Sequence, residues 1–363
     1  MPFPGRAILH IDLPAIVANW RDLAARHGGP TAGVVKADAY GLGAAPVARA
    51  LRDAGCATFF VAHLTEGLAL RAALGAASQG ARERTPDIIV LNGFPPGADE
   101  DAALIPVLNH LGDVSAYAGS GRPAVLHLDT GMSRLGLDAR EQATLAQERN
   151  RLDGIALRYV MTHLACADEP GHPMNEAQRA RFAEAAARIA PGVPRSFANS
   201  SGIFLGEGFR SDLARPGCAL YGINPTPGAA NPMRQVARVE AEVLQVREVG
   251  AGDTVGYGAS WTAPGPRRIA TVAAGYADGY LRALSGRSFG ILHGREAPLV
   301  GRVSMDLTTF DVTEIPEAAP GDRLLLIGGD GNTPDEIAAR CGTIGYEILT
   351  SLGRRYHRAY EGG

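Results

Sequence analysis

Between Gly33 and Gly222 the chain repeats one unit, a short apolar run of strand character followed by a stretch of helical periodicity. The strand candidates are Gly33–Ala37, Thr58–Leu64, Ile88–Asn92, Ile105–Asn109, Val125–Asp129, Arg158–His163, Arg195–Asn199 and Cys218–Gly222. Helical stretches lie between most of them, among them Ala44–Gly55, Thr65–Leu74, Ala139–Arg149 and Asn175–Ala190. Eight such β segments joined by helices predict an α/β architecture, a TIM-type (β/α)8 barrel of ordinary size for that fold. A doubly wound sheet stays open at this point, because periodicity does not show whether a sheet closes. Ahead of this region, Ile8–Leu13 reads as a short strand. Asp12 and Pro14 then start an amphipathic helix that ends near His27-Gly28-Gly29.

The pattern changes after about Pro232. Ala237–Glu248, Arg268–Ala274, Gly290–Leu292, Leu307–Val312 and Arg323–Ile327 are β-rich, and Gly-, Asp- and Pro-containing turns separate them. A short helix, Thr333–Cys341, and a basic tail complete the chain. The expected domains are therefore 1–232, the barrel, and 233–363, a mainly β domain.

Composition narrows the function. With 35 Lys+Arg against 38 Asp+Glu, net −3, no basic excess recommends a nucleic-acid partner. No apolar run approaches the ~20 residues of a membrane span. The N-terminal MPFPGRAILHIDLP lacks the basic-then-apolar layout of a signal peptide. Cys56, Cys166, Cys218 and Cys341 lie far apart, which fits a reducing cytoplasm, and the nine histidines do not cluster at ligand spacing. No metal site is expected.

In a barrel, reactive groups collect at the C-terminal strand ends. Those ends carry Lys36, His63, Asn92, Asp129 with Arg134, His163, Asn199 with Ser200, and Arg215 with Tyr221. Lys36 is the only strong amine nucleophile of that ring. A partly desolvated lysine has a lowered pKa, and its neutral amine attacks carbonyls, which is what a Schiff base with pyridoxal 5′-phosphate (PLP) requires. The alternative is a lysine snorkelling at a strand end.

VVKADAYGLG (34–43), LDTGMSRLG (128–136), THLACAD (162–168), ANSSG (198–202), RPGCALYG (215–222), VGYG (255–258), GYADGY (275–280) and GRVSMD (301–306) together resemble the alanine racemases, in order and over nearly the whole chain. The resemblance implies a PLP-binding barrel followed by a β domain, the first short strand (about 6–13) joining the β domain. It implies PLP on Lys36, with Tyr40, Ser200 and the backbone amides of Gly217 and Cys218 at its phosphate. Backbone N–H groups near glycine suit a dianion, since no side chain blocks the approach. Arg215 would face the pyridine nitrogen. A guanidinium cannot accept that nitrogen's proton, so the carbanion formed at Cα would be short-lived.

Racemisation removes a proton from one face of Cα and delivers one to the other, which two bases accomplish. The resemblance assigns them to Lys36 and Tyr276. Tyrosine, with a reference pKa near 10, is a poor base at neutrality unless perturbed, and the family links it to His163 and Arg215. Arg134, Met305 and Asp306 would hold the substrate carboxylate. The implied assembly is a head-to-tail homodimer in which Tyr276, Met305 and Asp306 come from the partner subunit. The implied role is supply of D-alanine for peptidoglycan in the cytoplasm. A serine or broad-spectrum racemase of the same fold is the alternative, and behind it a non-catalytic PLP-binding protein.

Two positions depart from the family. Some members carry a carbamylated lysine seven residues before the arginine of LDTGM-S-R. Here that position is His127, and either it or a bound anion would orient Arg134. Arg354 falls near a tail tyrosine of some members. Other motifs carry less. Gly41-Leu42-Gly43 imitates a dinucleotide fingerprint but has Pro46 in place of the third glycine. Gly328-Gly329-Asp330-Gly331 lacks the Lys-Ser/Thr of a phosphate-binding loop.

Overall fold

The computed structural model describes residues 5–75, 85–95 and 103–362. Two compact units account for them. The β unit comprises residues 1–15, 40–42 and 235–363, and the barrel unit comprises 16–39 and 43–234. The first four residues of the segment read for a signal peptide lie outside the described residues.

The chain opens on β1 (Ala7–Asp12). The barrel unit then contributes β2 (Gly33–Val34), β3 (Thr58–Val61), β4 (Asp87–Val90), β5 (Ile105–Leu108), β6 (Pro123–His127), β7 (Ala156–Met161), β8 (Arg195–Asn199) and β9 (Leu213–Arg215). Each pairs in parallel with the next, in the order β2 to β9. A parallel bridge between Thr31 and Ala214 joins the first edge to the last, and Ala32 N–H donates to the Ala214 carbonyl at 2.9 Å. The eight strands therefore form a barrel and not an open doubly wound sheet. The central strands are apolar on both faces because both are covered: all four residues of β3 and of β5 are buried. On the outside, Phe197 of β8 stacks between Phe182 and Phe209 at ring-centroid distances of 5.4 and 5.6 Å. Each such contact adds about 1 kcal/mol beyond area burial.

Two strand expectations are corrected. Cys218–Gly222 is not the eighth strand. Cys218–Tyr221 is a buried 3₁₀ turn, and the strand is Leu213–Arg215, separated from it by Pro216 and Gly217. Pro216 supplies no N–H to extend the ladder, and a buried turn is as apolar as a buried strand, so hydropathy did not separate them. The first strand also stops early, at Val34. Ala37, Asp38, Ala39 and Tyr40 follow as one left-handed turn, with φ of 52°, 54°, 54° and 55°.

The β unit is built on β10 (Ala237–Val249), which runs antiparallel to β1, to Arg267–Val272 and to Arg323–Ile327. β1 buries Ala7, Leu9 and Ile11 on alternate positions and pairs on its other side, in parallel, with His357–Glu361. The expected basic tail is thus a helix, Gly345–Thr350, and an edge strand. The polar sequence HRAYE hides that strand because none of its residues is fully buried. Among the described residues no helix is long and apolar enough to cross a membrane.

Candidate active site

Lys36 stands one residue beyond the end of β2, at the end of the barrel where parallel strands deliver their C-termini. Burial first, and then the Arg134 guanidinium, pull its amine below the usual lysine range, while Glu66 works in the opposite direction. The left-handed turn after Lys36 is closed by local bonds. Ala39 N–H donates to Val35 O at 2.9 Å, Gly43 N–H to Asp38 O at 2.8 Å, and Ala44 N–H to the Asp38 carboxylate at 2.7 Å.

Arg134 stands exposed in the loop after β6, and Asp129 shapes that loop. The Asp129 carboxylate accepts N–H bonds from Gly131, Met132 and Ser133. Gln142 ties the Asp129 and Leu137 carbonyls together at 2.7 and 2.6 Å. His127, at the end of β6, is buried and bonded through Nδ1 to Asn109 Oδ1 at 2.9 Å. Asn109 in turn donates to the carbonyls of Leu91 and Val107. Burial, together with Arg215 and Arg134 and opposed by Asp129, takes the His127 pKa down to about 4, so its imidazole is neutral near pH 7.

Arg215, ending β9, is 4% exposed. It donates to Ser196 Oγ and to the Thr162 carbonyl, both at 2.6 Å, and its guanidinium lies 5.9 Å from the Phe60 ring centre. Among the described residues no carboxylate pairs with it. Burial lowers its pKa to about 10, which leaves it charged at neutrality. His163, after β7, is half-buried. Burial and then Arg215, Arg134, Lys36 and His127 drive its pKa well below the ordinary histidine value. It is therefore a neutral hydrogen-bonding group and not a second cation. Gln178 fixes its backbone, donating to the His163 carbonyl at 2.9 Å and accepting from Ala165 N–H.

Ser200 begins the turn after β8. Its Oγ accepts N–H bonds from Gly217 (2.9 Å) and Ala219 (3.3 Å), which joins the β8 and β9 turns. No acceptor for its own hydroxyl proton is present among the described residues. Tyr221 is buried, and its hydroxyl donates to the carbonyl of Val34, the last residue of β2, at 2.9 Å. His63 and Asn92 bond to each other at 3.3 Å.

The remaining expected residues belong to the β unit. Tyr40 meets the Tyr346 ring edge-on at 6.3 Å. Tyr276 starts a short 3₁₀ turn. Its N–H donates to Ser304 O and that of Ala277 to Met305 O, which clamps the GYADGY and GRVSMD segments together. Gly275 permits the approach, since a Cβ there would lie 2.3 Å from Ser304 O and 2.4 Å from Met305 O. The buried Asp278 carboxylate accepts from Gly275 N–H and from Arg355, which also reaches Asp306 at 2.6 Å. Tyr276 and Met305 remain exposed. Arg354 is exposed beside Arg355.

Two family descriptions match in tandem: alanine racemase, N-terminal domain, over residues 11–225, and alanine racemase, C-terminal domain, over 236–360. This chain belongs to the alanine racemase family. It is 55% identical to the alanine racemase of Acidiphilium cryptum over 97% of this chain and 98% of that one. It is 51% identical to that of Rhodospirillum rubrum over 98% and 96%. The crystal structure of alanine racemase from Bartonella henselae with covalently bound pyridoxal phosphate superposes with a TM-score of 0.91 at 41% identity, covering 98% of this chain and 100% of that one.

Within this racemase fold, sequence reasoning missed the residues that hold the site in place: Glu66, Asn109, Gln178, Asp278 and Arg355. Two of them had a usable signal: Asn109 closes the expected strand Ile105–Asn109, and Glu66 stands three residues after His63 at the start of a helix, which is capping-box spacing.

Proposed function

We propose that the chain interconverts L- and D-alanine, with PLP carried on Lys36 and with Lys36 and Tyr276 as the two bases. The observation that carries this reading is Lys36 itself, a barrel-end amine whose proton affinity is lowered by burial and by Arg134. The donor set fits the cofactor. Ser200 has a buried hydroxyl with a proton to give, beside the Gly217 and Cys218 backbone, and with Tyr40 these would hold the phosphate. Arg215 would lie at the pyridine nitrogen. Its charge and its donor-only chemistry keep it from protonating or deprotonating that atom near neutrality. When bound, PLP supplies delocalisation of the electron pair left at the substrate Cα.

Lys36 takes or returns the proton on the Cα face from which the D-antipode is made or consumed, and Tyr276 serves the opposite face. His163, neutral and fixed by Gln178, is a hydrogen-bonding link to the bases and adds no charge. Arg134, with the backbone at Met305 and Asp306, receives the substrate carboxylate. The Arg355–Asp306 pair offsets a negative charge that would otherwise repel it. The active assembly is a head-to-tail homodimer in which each subunit lends Tyr276, Met305 and Asp306 to its partner. The setting is the cytoplasm, where the product supplies peptidoglycan.

Tyr276→Phe tests the base assignment. Exchange of the α-proton with solvent deuterium, starting from L-alanine, should be abolished, and full retained activity would sink the two-base reading.

A further inference from the structure

The left-handed turn after Lys36 is an unusual way to leave a barrel strand. Four consecutive residues other than glycine hold φ between 52° and 55°. Each such residue costs on the order of 1 kcal/mol or more, so the turn persists only where the surroundings impose it. Asp38 holds its far end through Ala44 N–H. Its near end, next to Lys36, is held by a side chain from another element. Glu66 Oε1 accepts the Ala37 N–H at 2.6 Å, and Oε2 accepts Ala62 N–H at 2.7 Å and His63 N–H at 3.1 Å. One carboxylate thereby bridges the end of β3 to the residue that follows Lys36. A glutamate that only capped its helix would need the Ala62–His63 side of this bridge and not the bond to Ala37.

We propose that Glu66 is a positioning residue for racemisation, fixing the peptide at Ala37 so that the Lys36 amine meets one face of the substrate Cα. The inference rests on the assignment of Lys36 as one of two bases, and it makes the effect of Glu66 one-sided. Loosening the bridge slows proton transfer at Lys36 and leaves transfer at Tyr276 untouched. Misplacement of a reacting group by about 1 Å can cost a hundredfold in rate, so the bridge has enough leverage to matter.

The test is the primary kinetic isotope effect on the PLP-loaded enzyme, measured separately with α-deuterated D-alanine and α-deuterated L-alanine, for the native protein, Glu66→Gln and Glu66→Asp. The equilibrium constant of racemisation is unity by symmetry, so kcat/KM must fall equally in both directions, by about ten- to a hundredfold in Glu66→Gln. The isotope effects should instead diverge, rising with deuterated D-alanine and falling with deuterated L-alanine as the Lys36 step becomes limiting. Glu66→Asp keeps the charge but shortens the reach, and should show a smaller divergence of the same sign. Should Glu66→Gln fold poorly, Glu66→Asp carries the test alone. A lower rate with both isotope effects unchanged is the result of a merely structural loss and would overturn the proposal. Lack of Lys36-dependent racemisation by the native holoenzyme would instead overturn the functional reading beneath it.

Discussion

Arg215 in the barrel unit is 4% exposed, whereas Tyr276 in the β unit is 42% exposed. Around Arg215 the fold controls charge. The guanidinium is buried without a carboxylate partner among the described residues, His127 and His163 are kept neutral, and Lys36 is pulled towards its free amine. Around Tyr276 the fold controls backbone. Gly275 and Asp278 lock a turn against Ser304 and Met305 while the side chains stand open. Around Arg215 the surroundings set protonation states, and around Tyr276 they set backbone positions. Substitutions in the Arg215 cluster should therefore act through charge, and those in the Gly275–Asp278 turn through stability.

The largest stability effect is expected in the β unit. Gly275→Ala drives a Cβ to 2.3 Å from a backbone carbonyl oxygen that cannot yield. It should cost about 4 kcal/mol, read as a lower urea midpoint. A midpoint equal to that of the native protein would show that the GYADGY turn is not clamped.

The barrel's counterpart is a pH effect. The folded chain holds the His127 pKa near 4 against the ordinary 6.5. Above pH 6.5 both folded and unfolded chains carry neutral imidazole, and this contribution is complete. As pH falls from 6.5 to 4, the unfolded chain binds a proton that the folded chain refuses, and stability drops by on the order of 3 kcal/mol. His127→Asn should flatten that acid limb in urea titrations at pH 7 and 4.5. An acid limb as steep as that of the native protein would mean that His127 charges readily in the fold.

Arg215→Gln sharpens the contrast further. Burial of the guanidinium opposes its charge by roughly 3 kcal/mol at neutrality. Its two hydrogen bonds return about 3 to 6 kcal/mol, at about 1.5 to 3 kcal/mol each for charged donors. Stability should thus fall by no more than about 3 kcal/mol, while kcat/KM falls about a hundredfold. A variant destabilised as strongly as Gly275→Ala would make Arg215 a structural residue. The smallest effect should come from Gly171→Ala on an exposed barrel turn, where a Cβ meets nothing within 4 Å. Its midpoint should shift by less than about 0.5 kcal/mol.

The same contrast governs how much was legible in the sequence. Barrel strands buried on both faces read directly as apolar runs, and the strand-end polar residues followed from their positions. Lys36, His163, Ser200 and Arg215 are where that reading placed them, at or just after strand ends. The exceptions were local. Cys218–Tyr221 is apolar because it is a buried turn, and His357–Glu361 is polar because it is an edge strand. Neither property belongs to a strand's periodicity. The left-handed turn at Ala37–Tyr40 was hidden because its residues are not glycines, and Glu66, which holds it, lies 29 positions from Ala37. Pairings between distant segments, such as Asp278 with Arg355, leave no trace in a single sequence at all.

On the function proposed above, Lys36 with PLP makes this chain a racemase of alanine. The most direct measurement is D-alanine formed from L-alanine by the purified protein, with and without added PLP, beside Lys36→Ala. D-alanine should form, and its formation should depend on both the cofactor and Lys36. Full Schiff-base absorbance from the native protein with no D-alanine formed would contradict it, leaving a PLP-binding chain that acts on something else.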